Sequence, residues 1–364
     1  MRNYLILWLL AAFFLTFSQS FAEDFEHLFT PVRHYVVFRA AEPLVIDGKP
    51  DEPSWKKAEW SDDFIDIEGD SKPKPLYQTR FKMLWDEDNL YIFAELEEPH
   101  VWAYYQERDM IVYHENDFEI FIDPDGNAHD YFEFEINACN TLFDLFMPRP
   151  YRDGARPFVV YDAKGLESAV FVDGTLNDPS DVDKKWCVEV KIPFADLRTG
   201  ESVQLPKDGQ TWRINFSRVQ WQSNVVDGRY VRRRDPDSGR LLPENNWVWS
   251  APGIISMHAP ERYGMVQFST HAAGTADVDF QTTNHQLAAD CAWLIYYSQK
   301  AYHSQHNTYA GSLAELGLAD SLPLENNGKV AVDLAASRWQ FTAVVTESDG
   351  SSCSINETGL FHVK

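Results

Sequence analysis

The sequence predicts a mainly β protein: an antiparallel β-sandwich followed by a small α+β module. Three observations carry this expectation. From Tyr35 to Phe268, short runs of alternating Phe, Ile, Val and Trp are separated by turn residues, with almost no helical periodicity. Around 269–285 the texture changes to "STHAAGTADVDFQTTNH", small and polar, with few anchors for a core. Beyond it, apolar residues return at helical spacing and strand-like runs follow.

Taken in order, "RFKMLWDEDNLYIFAELEE" is a strand, a turn at Asp86 to Asn89, and a second strand. "SKPKP" (71–75) is a proline-stiffened loop. "NDFEIFIDPDGNAHDYFEFEIN" (116–137) forms two strands around a D-G turn, the strongest short-range hairpin signal. "SAVFVDGTLN", "KKWCVEVKIPF" and "TWRINFSRVQW" continue in the same manner, as an antiparallel sandwich requires. In the last segment, "QLAADCAWLIYYSQKAYHSQ" spaces Leu287, Cys291, Leu294, Ala301 and Tyr302 as one helical face, and "WQFTAVVT" and "GLFHVK" read as strands. The stretch "AYHSQHNTYAGSLAELGL" resembles the end of the long helix and following loop of type IV pilin-like subunits, without their amino-terminal helix.

The first residues, "MRNYLILWLLAAFFLTFSQSFAED", combine an early Arg2, an apolar run from Leu5 to Phe17 and small residues flanking Phe21. That pattern is a signal peptide cut before Glu23, the alternative being a single-pass anchor. No later segment is long enough to span a membrane. The expected organisation is a signal peptide at 1–22, a sandwich at 31–268, a linker at 269–285 and an α+β module at 286–364. The expected location is secreted, periplasmic or at the cell surface.

A net charge of −24 and an isoelectric point near 4.7 exclude nucleic acid as a general partner, because most of the surface would repel it. Four cysteines in an exported chain allow three disulfide pairings, of which Cys139–Cys187 with Cys291–Cys353 is the most economical.

One strand face carries Glu119, Glu133, Glu135 and Asn137 together. It is a solvated sheet surface, a polar rim for a ligand, or a catalytic carboxylate pair of the glycoside hydrolase kind. The loop "DPDGN" offers Asp123, Asp125 and Asn127 as oxygen ligands for calcium, with help from Asp117 or Asp130, or is simply a hairpin turn. "GRYVRRRDPDSGR" (228–240) gathers five arginines, suited to an acidic glycan or to pairing with the protein's own acids. No G-x-S-x-G, H-E-x-x-H, phosphate-loop or dinucleotide motif occurs.

In sequence order, "LVIDGKPDEPSWKKAEW", "WDEDNLYIFAEL", "NDFEIFIDPDG", "GTLN" and "WCVEVKIPF" resemble the family 9-like carbohydrate-binding modules over residues 40–268. The resemblance implies a sugar held between two aromatic rings, and structural calcium in the domain. The first ring falls at Tyr113. The second position falls at Met257, which is not aromatic, so Trp247 and Trp249 become a displaced platform or, for one of them, core. Glu119 matches an acid that contacts the sugar, and Glu135 stands where a cationic or amide partner is expected. The expected function is a secreted, non-catalytic carbohydrate-binding protein, using Tyr113, Glu119, Glu135, Asn137, Trp247 and Trp249. Its rivals are a polysaccharide-processing enzyme and a structural surface protein that has lost its ligand.

Overall fold

The computed structural model describes residues 25, 30–198, 205–282, 285–318 and 330–364; the expected signal peptide lies outside them. Two compact units result, one spanning Val32–Gln281 and the other built on Thr282–Lys364. No helix among the described residues is long and apolar enough to cross a membrane.

The first unit contains β1 (His34–Arg39), the single-turn α1 (Pro53–Lys57), β2 (Ile65–Asp66), β3 (Thr79–Trp85), β4 (Asn89–Glu97), β5 (Asp117–Asp123), β6 (Tyr131–Asn137) and β7 (Leu142–Met147). It continues with β8 (Glu167–Asp173), β9 (Lys185–Pro193), β10 (Thr211–Gln220), β11 (Ser223–Val226), β12 (Arg229–Arg232), β13 (Asn245–Val248) and β14 (Gly264–Ala272). The hydrogen-bonded path runs β7-β6-β5-β10-β14-β1-β3-β4-β9-β8, with β13 also pairing β10 and β2. Strand β1 stitches the two layers: its first half lies parallel to β14, its end lies parallel to β3, and a bulge separates Val37 from Arg39. The other strand pairs described are antiparallel, as expected.

Period-two alternation sends Phe118, Ile120 and Ile122 of β5 and Trp212, Ile214 and Phe216 of β10 inward, against Phe81, Met83 and Trp85 of β3 and Ile92 and Ala94 of β4. Phe81 and Phe216 meet across the layers with ring centroids 4.1 Å apart. Gly264 opens β14 directly under Trp249, where a Cβ would lie 2.2 Å from the indole, so no larger residue fits without moving that ring. Such burial supplies about 1.5–3 kcal/mol per large apolar side chain.

The sandwich reaches further than the composition suggested. β14 runs to Ala272, Phe280 stacks on His34, and the Gln281 N–H donates to Gln267 Oε1, so 269–281 belongs to this unit rather than to a linker.

The second unit packs the helix α2 (Gln286–His306) on an antiparallel sheet of β15 (Ala331–Ala336), β16 (Phe341–Thr346), β17 (Ser352–Asn356) and β18 (Phe361–Val363). Cys291, Ile295 and Tyr296 are buried on the helix.

All four cysteines are free thiols, which corrects both expected pairings. Cys139 donates to the Ala103 carbonyl beside the main core, whereas Cys187 packs with Trp55 and Phe93 on the far side of β9. A shared half of the sequence did not put these two on the same side of a sheet.

Candidate functional site

Strands β5 and β6 are buried along their whole lengths, on both faces. The inward face enters the sandwich core, and the outward face forms the floor of a recess of ≈ 530 Å³. Register decides what that floor contains. Glu119 lies opposite Glu135 on β6 and Ser217 on β10, Phe121 lies opposite Glu133, and Asp117 lies opposite Asn137. Tyr113, on a 3-10 turn before β5, and Tyr151, on another after β7, line the recess and are 40% and 46% exposed. Glu244, Met257 and His258 complete the wall.

Among the described residues, no Lys or Arg forms an ion pair with the acids on this floor. Burial raises the Glu119 carboxyl from its ordinary 4.5 to about 7, with Glu244 adding repulsion and Ser217 opposing it. Burial, then the charge of Glu119, drives Glu133 well above the carboxylate range. Glu135 and Asp117 rise for the same two reasons, burial first and neighbouring carboxylates second. His258 sits with Nε2 3.9 Å from Glu133 Oε2, yet burial and then Arg152 lower its pKa to about 4, so it stays neutral near pH 7. Its Nδ1 is engaged with the Tyr131 hydroxyl at 2.8 Å. Protonated carboxyls both donate and accept hydrogen bonds, as a ligand rich in hydroxyls requires.

Of the expected site residues, Tyr113, Glu119 and Glu135 come together here, and the Tyr113 N–H donates to Glu135 Oε2 at 3.2 Å. Asn137 does not face the recess. Its Oδ1 accepts the Cys139 and Thr141 N–H groups and its Nδ2 donates to the Tyr105 carbonyl and Glu115, locking the β6–β7 turn. Trp247 and Trp249 are no platform either. Alternation puts them on one face, and that face is the interior: they are 3% and 1% exposed, with Trp249 edge-on to Phe81 and Trp247 edge-on to Tyr77. Met257 lines the recess from within a cluster with Phe121 and Tyr263.

The loop expected to hold calcium closes on itself. Asp123 accepts the Gly126 and Ala128 N–H groups, Asp125 accepts the Asn127 N–H, and Asn127 accepts that of His129. Two arginines of the 228–240 hairpin lie over aromatic rings, Arg229 over Tyr104 and Arg232 over Trp221, and neither lines the recess.

Tyr151 was not anticipated. Its only signal was a single aromatic between Pro150 and Gly154 in a strand-to-strand loop. Glu244 and His258 gave no signal, because the chain folds them in from distant segments.

A two-layer sandwich with a recess walled by exposed aromatic rings over a hydrogen-bonding floor defines a ligand-binding module. The family model "Carbohydrate family 9 binding domain-like" matches residues 46–267, and the chain belongs to that family, a carbohydrate-binding class. Among solved structures, a proposed carbohydrate-binding protein from Bacteroides uniformis ATCC 8492 is 16% identical, covering 66% of this chain and 100% of its own, with a TM-score of 0.46. A family 9 carbohydrate-binding module from Caldicellulosiruptor kristjanssonii in complex with glucose is 15% identical, covering 67% and 100%, with a TM-score of 0.40. Its complex with cellotriose is also 15% identical, covering 68% and 100%, with a TM-score of 0.39. No curated protein matches the chain.

Proposed function

We infer that the protein is an exported, non-catalytic carbohydrate-binding protein that holds a neutral oligosaccharide in the recess between Tyr113 and Tyr151. The observation that carries this reading is the pair of half-exposed tyrosines on two separate turns above a floor of Glu119, Glu133 and Glu135. Aromatic faces pack on the C–H surface of a pyranose, and the acid floor meets its rim hydroxyls. Export rests on the apolar run from Leu5 to Phe17.

The arrangement of the acids favours binding over hydrolysis. A glycosidase places its two carboxyls roughly 5–9 Å apart across the scissile bond. Here Asp117, Glu119 and Glu135 bring oxygens within 4.8 Å of one another on one face of the sheet, closer than that separation.

Calorimetry with cellotriose as the probe tests the proposal. Tyr113→Ala and Tyr151→Ala should each weaken binding about tenfold, the loss of one stacking face at roughly 1–1.5 kcal/mol. Arg233→Ala, in the hairpin outside the recess, should leave binding unchanged. If both tyrosine variants bind like the parent while the Arg233 variant fails, cellotriose binds at the arginine hairpin rather than in the recess.

A further inference from the structure

The hairpin 228–240 gathers five arginines on a chain of net charge −24, and the fold does not pair them with the protein's own acids. Among the described residues, Arg229, Arg232, Arg233, Arg234 and Arg240 form no ion pair. The Asp235 carboxylate beside them accepts the N–H groups of Asp237 and Ser238 instead. Tyr230 anchors the ribbon: it is buried in a cluster with Trp102 and Trp221, its N–H donates to the Tyr104 hydroxyl at 2.9 Å, and its own hydroxyl meets His100 Nδ1 at 3.1 Å. The arginines are therefore presented by a fixed element. That element also adjoins the recess. Arg232 Cζ lies 4.6 Å from the centroid of the Trp221 ring, Trp221 Nε1 donates to the Tyr113 carbonyl at 2.9 Å, and Tyr113 is a wall of the recess. On the same rim, burial and then the charge of Arg232 hold His114 below its ordinary pKa.

Given a sugar in the recess, on which this rests, we propose that Arg229 and Arg232 form an anion subsite on the Tyr113 side, fitted to a carboxylate-bearing sugar, a uronate, along the same glycan. Arginine offers a planar fork of N–H donors that meets both oxygens of a carboxylate, and an aromatic ring beneath it holds the fork in place without occupying those donors. Arg229, 4.3 Å from the Tyr104 centroid, and Arg232 over Trp221 are held in that way. A sparsely charged glycan fits this surface better than a dense polyanion. Nucleic acid, an anionic membrane or a second copy of this chain would bring many negative charges against a protein of net charge −24, and that repulsion opposes a few local contacts. A single carboxylate on an otherwise neutral chain meets the arginines at short range, where they dominate the field.

Calorimetry of the full chain tests this by comparing cellotriose with the two trisaccharides in which glucuronate replaces the glucose at one end or the other. At low ionic strength one of the two should bind about fivefold to tenfold tighter than cellotriose, a margin that shrinks in high salt. Arg229→Gln and Arg232→Gln should each cut that margin to about twofold or less, with circular dichroism unchanged. Tyr151→Ala should weaken the acidic and the neutral trisaccharide alike. Equal affinity of the parent for all three sugars overturns the subsite and leaves the recess reading standing. A margin that survives both arginine substitutions, or acidic-sugar binding indifferent to Tyr151→Ala, also overturns it. A parent that binds none of the three removes the recess reading and the subsite with it.

Discussion

The two outer faces of the sandwich treat acidic side chains in opposite ways. Beyond β4 and β9, Glu95 receives Arg80 at 2.9 Å from one side and Lys185 from the other, and Lys191 reaches Glu167. Burial pushes the Glu95 carboxyl up, but the bonds from Lys185 and Arg80 outweigh it and hold Glu95 below the usual range. The deeper Glu189 on that face pairs with no Lys or Arg among the described residues, and burial still raises its carboxyl to about 7, yet both its oxygens are bonded, to Trp55 Nε1 at 2.9 Å and to the Asp47 and Gly48 N–H groups at 3.0 Å. Beyond β5 and β6, no Lys or Arg among the described residues pairs with Glu133 or Asp117, and Glu133 Oε2 has no hydrogen-bond partner. The same contrast holds inside the sandwich, where Glu98 is as buried as Glu133 but is bonded by Arg218 at 3.1 Å. Perturbed buried acids cluster at functional sites, and that sets the β5–β6 face apart from the β4–β9 face as the candidate binding face.

The comparison breaks hardest at its compensated end. Arg218→Ala strands Glu98 without its cation and opens the contacts to Thr79 and Gln220. Stability in urea should fall by about 3–5 kcal/mol. A loss below ~1 kcal/mol would mean that pairing at this depth is dispensable, and the contrast with Glu133 would lose its meaning.

Neutralising the uncompensated end should do the reverse. A carboxyl raised in the folded state keeps a proton that the unfolded chain releases near pH 4.5, so its stability is full below that value and is lost as pH rises through the folded pKa. For Glu119 the window runs from 4.5 to about 7, and Glu133 shifts in the same direction. In chelator, the melting temperature should therefore decline from pH 5 to pH 8. Glu133→Gln should stabilise the protein by roughly 1–3 kcal/mol at pH 7.5 and by nothing measurable at pH 4.5. Equal effects at both pH values would show that shape, not charge, governs this position.

The smallest effect belongs to the solvated pair. Arg80→Ala leaves Glu95 with Lys185 in a partly exposed setting. It should cost less than about 1 kcal/mol, and less still in high salt. A larger, salt-insensitive loss would point to the packing of the Arg80 guanidinium on Trp60, 4.1 Å from the ring centroid, rather than to charge.

Much of this protein was legible in its sequence because strand alternation is a local property. The period of two placed Phe118, Ile120 and Ile122 on one face and Asp117, Glu119 and Phe121 on the other, and the D-G turn joined β5 to β6. Local rules also put Trp247 and Trp249 on a common face. They could not say that the face is interior, which depends on β13 packing beside β10 and over Gly264. Asn137 has the right chemistry for a sugar rim, but the turn after β6 needs its amide more.

What the sequence by itself determined is the sandwich, the second module and the acidic character of one strand pair, since each follows from residue spacing along a few neighbouring turns of chain. What only the tertiary structure decided is that this acidic face is covered and recessed. Segments around Tyr113, Tyr151, Glu244 and His258, far apart in sequence, wall it and bury its acids. That closure raises the carboxyl pKa values and turns a row of ordinary surface acids into the floor of a site. Desolvation depends on what arrives from elsewhere in the chain, and no local pattern encodes it.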